Sequence, residues 1–148
     1  MLQNRNLTLY PSVQLCDSTS LMLRTVRPID VDKTEMRLYC LAPIGEDAES
    51  REMRIRQHED AFSPAGLANA DDHAVYADCQ RGYGAPEPRW LQAYERGAGI
   101  VAHGADRLAD ELGFVPSTSL RGPFRIYNEV VHHSSYREWA RLLSGVPY

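Results

Sequence analysis

The 148-residue sequence has no apolar run that approaches the length of a membrane helix, which is about 20 residues. It also has no excess of basic residues. Its first six residues contain no apolar signal core, so we expect a cytoplasmic protein without a membrane partner. The net charge of −4 argues against nucleic acid, because phosphate binding needs a concentrated basic face. Three widely spaced cysteines do not form a disulfide framework and fit a reducing compartment.

Histidine pairs are also lacking in the part of the chain where an iron site would need them. The run Phe62–His73 contains Asp71 and Asp72 and looks like one half of such a site. No two histidines upstream of it are spaced to share a helix face, and a facial metal site needs two imidazoles beside its carboxylate. The run therefore indicates a carboxylate donor on a partial catalytic domain.

Apolar alternation in the N-terminal third predicts three antiparallel strands. The alternating residues are Leu7 and Leu9, then Leu21 and Leu23, then the series Met36, Leu38, Cys40 and Ala42. Pro28–Lys33 contains a proline and two aspartates, which favour a chain reversal. Pro11 is expected to end the first strand or to lie on a bulge, because it cannot donate to a ladder.

A long charged helix is predicted from Glu46 to Phe62, a segment without glycine or proline. Ala48, Ile55 and Phe62 recur every seven residues and are expected on the side that lies on the sheet. His58 is expected at the surface. Ser63-Pro64 ends this helix, and Asp71 opens a second helical segment.

Two further helices are predicted in the C-terminal third, giving an α+β fold. The first covers residues 105–112 and stops at Gly113. The second begins at a capping box, Ser135 to Glu138, and ends at Gly145. The histidines are not expected to form a metal site of their own, because His132 and His133 would point in opposite directions in an extended segment.

Five blocks, in this order, resemble one protein family. They are Asn6-Leu7-Thr8-Leu9-Tyr10-Pro11, Arg24-Thr25-Val26-Arg27-Pro28, Asp32-Lys33-Thr34-Glu35, Arg54-Ile55-Arg56-Gln57-His58-Glu59-Asp60 and Ser63-Pro64-Ala65-Gly66. They resemble the large α subunit of Rieske-type aromatic-ring-hydroxylating dioxygenases, in the benzoate, anthranilate and halobenzoate branch. The resemblance implies that residues 1–148 are the C-terminal portion of the catalytic domain. Its helix-grip, Bet v 1-like fold would be incomplete here and the Rieske domain absent.

The resemblance also implies roles for six residues. Asp72 matches the carboxylate ligand of the mononuclear Fe(II), and Asp71 or a neighbouring acid would bridge to another subunit. Asn6, Phe62, Leu67 and Ala68 match positions that face the substrate. Two structural alternatives stay open: Asp71 and Asp72 as acids that only favour a helix N-terminus, and Phe62, Leu67 and the nearby Leu15 as ordinary core residues.

The cofactors and partners that the family implies are only partly represented in this sequence. A Rieske 2Fe-2S cluster needs Cys-x-His and Cys-x-x-His pairs, and neither pair follows Cys16, Cys40 or Cys79. The two histidine ligands of the Fe(II) are missing as well. A complete relative would hydroxylate an aromatic acid with O2, taking electrons from NADH through a reductase and the Rieske cluster. Other α subunits, and in some relatives β subunits, complete the assembly.

Three interpretations follow for the chain itself. It is a truncated oxygenase α subunit, our preferred interpretation, or one half of a split enzyme whose other polypeptide supplies the Rieske cluster and the histidines. The third is a non-enzymatic module that binds a small aromatic ligand or serves assembly. In the first two cases we expect the isolated chain to be catalytically silent, because it lacks the electron entry point and two of three iron ligands.

Overall fold

The computed structural model describes residues 5–86, 93–122, 125 and 127–145. The chain divides into two compact units, Met1–Glu87 and Pro88–Tyr148, and each is described by itself. Both units combine strands and helices. The predicted α+β class is therefore confirmed.

A four-stranded antiparallel sheet forms most of the first unit. Its strands follow chain order and are β1 (Arg5–Leu9), β2 (Val13–Asp17), β3 (Leu21–Asp30) and β4 (Lys33–Cys40). The prediction of three strands missed β2, although Val13 and Leu15 also alternate. The chain ends β1 at Leu9, as expected before Pro11, and reverses in a tight turn in which the Ser12 amide donates to the Leu9 carbonyl at 3.2 Å.

The register of the sheet assigns each side chain to one of two faces, because directly paired residues point to the same side. Asn6, Cys16, Met22 and Cys40 pair in one row across all four strands. Met22 is 1% exposed and is the largest fully buried side chain among the described residues. This row lies on the side that the first long helix covers.

Helix α1 (Ala48–Phe62) has no fully buried residue, and its least exposed side chains are Arg54, His58, Ala61 and Phe62. Asp47 caps its first turn by accepting from the Ser50 amide at 2.9 Å. Arg54 pairs with the buried Glu46 side chain at 2.5 Å. Ala48 is exposed and Ile55 is 43% exposed, so the prediction that these two residues face the sheet is wrong. Two of these four side chains are polar, and each has a polar partner: Glu46 for Arg54 and Ser20 for His58.

Helix α2 (Ala70–Tyr83) follows α1 after a short turn and starts one residue before the predicted Asp71. Asn69 stands at its N-cap position, and Gly84 is at the C-cap. Among the described residues of α2, no side chain is buried. The helix therefore presents its first-turn acids to the surroundings.

The second unit contains short elements. They are a 3-10 turn (Ala98–Ile100), β5 (Val101–His103), α3 (Arg107–Leu112), β6 (Thr118–Leu120), a second 3-10 turn (Val130–His132) and α4 (His133–Ser144). β5 and β6 form an antiparallel pair that was not predicted. Gly113 and Gly145 adopt positive φ angles of 72° and 68° and end α3 and α4, as predicted.

The capping box predicted at Ser135 is wrong, as is the extended conformation predicted for His132 and His133. Helix α4 already begins at His133, because the preceding 3-10 turn leads directly into it. Glu138 therefore lies inside the helix and pairs with Arg141 at 2.7 Å. Across the described parts of the chain, no helix is long and apolar enough to span a membrane.

Candidate functional site

A cavity of about 330 Å³ lies between β4, α1 and the start of α2. Its walls combine apolar and polar side chains, as small-molecule sites commonly do. The lining residues are Met36, Leu38, His58, Glu59, Phe62, Ser63, Pro64, Asn69 and His73. The cavity therefore contains Phe62, one of the predicted substrate-facing residues.

The turn after α1 folds back on the helix end and fixes the edge of this cavity. The Leu67 amide donates to the Asp60 carbonyl at 2.8 Å, and the Ala68 amide donates to the Ala61 carbonyl at 2.9 Å. Gly66 is buried, and a Cβ atom there would lie 2.8 Å from the Ala61 carbonyl carbon and oxygen. Glycine is required at this position because the two backbone segments approach so closely.

Asn69 joins the same turn to the last residue of α1. Its side chain is 4% exposed, and Nδ2 donates to the Phe62 carbonyl oxygen at 2.5 Å. That carbonyl lies at the helix end, where backbone acceptors lack helical partners. The bond therefore connects the end of α1 to the N-cap residue of α2, three residues before Asp72.

His58 is half-buried and not at the surface, so that prediction is wrong. Its Nδ1 lies 3.0 Å from the hydroxyl oxygen of Ser20, a residue that is itself buried. The rings of His58 and Phe62 are 5.5 Å apart, centroid to centroid. These contacts hold one imidazole against the cavity wall and connect α1 to the loop before β3.

Asp71 and Asp72 are exposed in the first turn of α2. The Asp72 amide donates to Asp71 Oδ1 at 3.0 Å. Among the described residues, the Asp72 carboxylate has no hydrogen-bond or ion-pair partner. It is adjacent in sequence to His73, which lines the cavity.

The remaining predicted residues lie at different distances from the cavity. Leu67 is 91% exposed and Ala68 is exposed, and neither lines it. Asn6 is exposed on β1, in the row of Met22 on the α1 side of the sheet. The structure thus places Phe62 in the wall, while the roles of all six residues stay predictions.

Some lining residues were not predicted as site residues. Met36 and Leu38 could have been found, because their alternation already assigns both to one face of a strand. His58 and Asn69 could not, since their partners Ser20 and Phe62 are 38 and 7 residues away and no sequence pattern links them.

The described donors do not make a complete iron site. Within the described ranges, no group of three or more His, Cys, Asp or Glu side chains could hold a metal ion. Asp72 offers one carboxylate, whereas a facial iron site also needs two imidazoles. Cys16 and Cys40 are half-buried free thiols, and Cys79 is an exposed one.

Comparison with known proteins identifies the class of the chain, although no protein-family model matches it. It is 39% identical over 145 residues to the 2-halobenzoate 1,2-dioxygenase large subunit of Burkholderia cepacia, covering 97% of the chain and 30% of that relative. It is 39% identical over 116 residues to the toluate 1,2-dioxygenase subunit alpha of Pseudomonas putida, covering 78% of the chain and 25% of that relative. With the anthranilate 1,2-dioxygenase large subunit of Acinetobacter baylyi it shares 34% identity over 139 residues, covering 94% of the chain and 29% of that relative.

The chain thus spans less than a third of the length of these curated relatives. All three are large or alpha subunits of dioxygenases. The chain belongs to the large-subunit family of aromatic-ring-hydroxylating dioxygenases, which confirms the predicted family.

Proposed function

We propose that the chain is part of a terminal oxygenase that dihydroxylates an aromatic acid of the benzoate or anthranilate type. The reaction uses O2 and electrons that pass from NADH through a reductase and a Rieske 2Fe-2S cluster. The observation that carries this proposal is the identity of 34–39% with three such large subunits, named for halobenzoate, toluate and anthranilate. A cavity of suitable size beside the Asp72 helix supports it.

In this proposal the chain supplies one iron ligand and part of the substrate pocket. Asp72 presents an exposed carboxylate to Fe(II), and two imidazoles come from outside the described residues. The bound iron supplies the oxygen activation. Asp71 is the acid that contacts a second α subunit.

The cavity provides an apolar wall for an aromatic ring. Met36, Leu38 and Phe62 form this wall, and Asn69 fixes the turn beside it. Asn6, Leu67 and Ala68 complete the pocket when the rest of the large subunit is present. The partners are other α subunits, in some assemblies β subunits, and the reductase, all in the cytoplasm.

A hybrid large subunit tests the proposal. The matching segment of the Burkholderia cepacia 2-halobenzoate enzyme is replaced by this chain, and iron content and turnover of aromatic acids are measured. Asp72→Ala should lower iron occupancy more than about tenfold and abolish turnover, because a first ligand is removed. Asp71→Ala is the matched control at the neighbouring acid and should keep the iron while slowing turnover.

Three results would contradict this assignment. If Asp71→Ala loses the iron and Asp72→Ala keeps it, the ligand is the first acid of the pair. If the Asp72→Ala hybrid keeps both iron and turnover, Asp72 is not a ligand and a binding role for the chain is favoured. If the isolated chain binds iron stoichiometrically and turns over benzoate, the expectation that it is silent alone is wrong.

A further inference from the structure

The two ring nitrogens of His58 have different surroundings. Nδ1 lies 3.0 Å from the hydroxyl oxygen of Ser20. Nε2 has no hydrogen-bond partner among the described residues, and it is not one of the buried unsatisfied atoms. Because His58 lines the cavity and Ser20 does not, Nε2 is the nitrogen that a molecule in the cavity can contact.

Ser20 determines which of the two nitrogens carries the proton. Its side chain is 3% exposed, and His58 Nδ1 is the partner that the structure describes for its hydroxyl. If Nδ1 were protonated, the serine hydroxyl hydrogen would be buried without an acceptor among the described residues, and an unpaired buried donor is costly. The hydroxyl therefore donates to Nδ1. A neutral imidazole whose Nδ1 accepts has its proton on Nε2, so His58 presents an N–H donor to the cavity.

The other lining residues indicate what kind of acceptor this donor would meet. Met36, Leu38 and Phe62 form an apolar wall that suits an aromatic ring. Glu59 also lines the cavity, and none of the described lining residues is a lysine or arginine. A carboxylate is disfavoured beside Glu59 because like charges repel, whereas a neutral oxygen meets no such repulsion. A neutral oxygen on the ring therefore fits this end of the cavity best.

We propose that His58 Nε2 donates a hydrogen bond to a neutral oxygen substituent on the ring of the bound aromatic compound. The pocket thereby prefers such rings to alkyl- or alkenyl-substituted rings of the same shape, because a group placed to hydrogen-bond a ligand is left unpaired by a ligand without that oxygen. Ser20 is a positioning residue that acts through His58. This inference rests on the proposed function, because it assumes that the ring occupies the cavity.

Ligand binding to the chain itself tests the inference. The first probe is 4-fluoroacetophenone, whose carbonyl oxygen accepts a hydrogen bond but cannot donate one. The second is 4-fluoro-α-methylstyrene, in which a CH2 group replaces that oxygen and the shape is nearly the same. 19F NMR titration gives the dissociation constant of each probe. The wild-type chain should bind the ketone about fivefold more tightly, as expected for one net hydrogen bond.

Three variants separate recognition from folding. The double variant His58→Phe/Ser20→Ala removes both partners, so that no buried hydroxyl is left unpaired, and it keeps an aromatic ring beside Phe62. It should bind the ketone about fivefold more weakly and the styrene as before. Ser20→Ala alone should give an intermediate ratio of the two affinities, because the proton is no longer held on Nε2. Ser18→Ala changes an exposed serine of the same loop and should keep the full preference. Amide proton spectra establish that each variant is folded.

Three outcomes overturn the inference. They are no saturable binding of the ketone by the wild-type chain, equal affinity for the two probes, or a folded double variant that still prefers the ketone. A folded Ser20→Ala variant with the full preference would contradict the positioning role of Ser20. Failure of the proposed function is seen elsewhere, in the iron content of the Asp72→Ala hybrid. A preference for the ketone that depends on His58, together with normal iron in that hybrid, would support the inference and contradict the ligand assignment.

Discussion

At the scale of a single residue, the buried side-chain amide of Asn69 is expected to contribute to stability. It joins the end of α1 to the start of α2 through the Phe62 carbonyl. Asn69→Ala should lower the free energy of unfolding by about 1–3 kcal/mol, because a buried acceptor loses its partner. Urea denaturation measures this. Asn6→Ala, at an exposed amide, should change it by no more than about 0.5 kcal/mol; equal losses would contradict the role of Asn69.

Asp47 gives a pH dependence that belongs to one carboxyl group. Hydrogen bonds from the Ser50 amide and hydroxyl lower the pKa of Asp47 from its ordinary value of 3.8. A lowered folded-state pKa means that the stabilisation is present above pH 3.8 and is lost as the pH falls through the folded-state pKa. The N-cap of α1 therefore weakens in acid.

The comparison with Asp47→Asn isolates this effect, because asparagine also caps helices but does not titrate in this range. We therefore compare the free energy of unfolding of the wild type with that of Asp47→Asn. The wild type should lose stability relative to this variant as the pH drops below about 3.8. Urea denaturation at several pH values measures the difference. A difference that stays constant with pH would show that Asp47 does not act through its charge.

At the scale of elements, the turn between α1 and α2 brings the backbone at Gly66 close to the Ala61 carbonyl. Gly66→Ala should destabilise the protein by about 1–3 kcal/mol, because the new Cβ would overlap the Ala61 carbonyl. Gly82→Ala is the control within α2. Its Cβ meets no atom within 4 Å, so the variant should be more stable by up to about 1 kcal/mol through helix propensity. Thermal unfolding should therefore shift in opposite directions, and shifts of the same sign would contradict the close approach.

Local sequence patterns predicted those secondary-structure elements in which the pattern was strong. Alternation found three of the four strands in the first sheet, and the breaks at Ser63-Pro64, Gly113 and Gly145 were found because proline and positive-φ glycine act locally. The three-residue strands β5 and β6 were missed, because so few residues carry no periodicity. The inner face of α1 was predicted wrongly because the half-buried Arg54 and His58 have polar partners, Glu46 and Ser20, that apolar spacing does not indicate.

The residues of the candidate site were likewise only partly predictable from the sequence. Phe62 and the loop before Asp72 could be located from residue order in related proteins. The contacts of His58 with Ser20 and of Asn69 with Phe62 could not, because they depend on which segment the fold brings opposite each side chain. Sequence therefore predicted the acid pair, whose role stays a prediction, whereas the polar groups around the cavity were recognised only in the tertiary structure.

At the scale of the whole molecule, few apolar side chains in the described ranges are fully buried. Among the described residues, the buried apolar side chains are Met22, Ala102 and Val130. Large residues such as Leu9 and Tyr39 on the other side of the sheet are exposed. Met22 is therefore expected to contribute strongly to the stability of the first unit.

Met22→Ala tests that consequence. It should cost about 2–5 kcal/mol, because it removes the one large fully buried side chain described and leaves a cavity under α1. Met53→Ala is the matched change at a side chain that is 57% exposed, and should cost about 0.5 kcal/mol or less. Chemical denaturation followed by circular dichroism compares them. Similar losses for the two variants would show that Met22 is not the centre of this core.

The hydrogen bond between Ser20 and His58 also makes the His58 side chain an intrinsic NMR probe. The bond spans 38 residues and connects the loop before β3 to α1 beside the cavity. It biases which ring nitrogen of His58 carries the proton, and the 15N chemical shifts of an imidazole distinguish those tautomers. The resonances of His58 can therefore report, without any attached label, whether helix and sheet are docked and whether a ligand has entered between them.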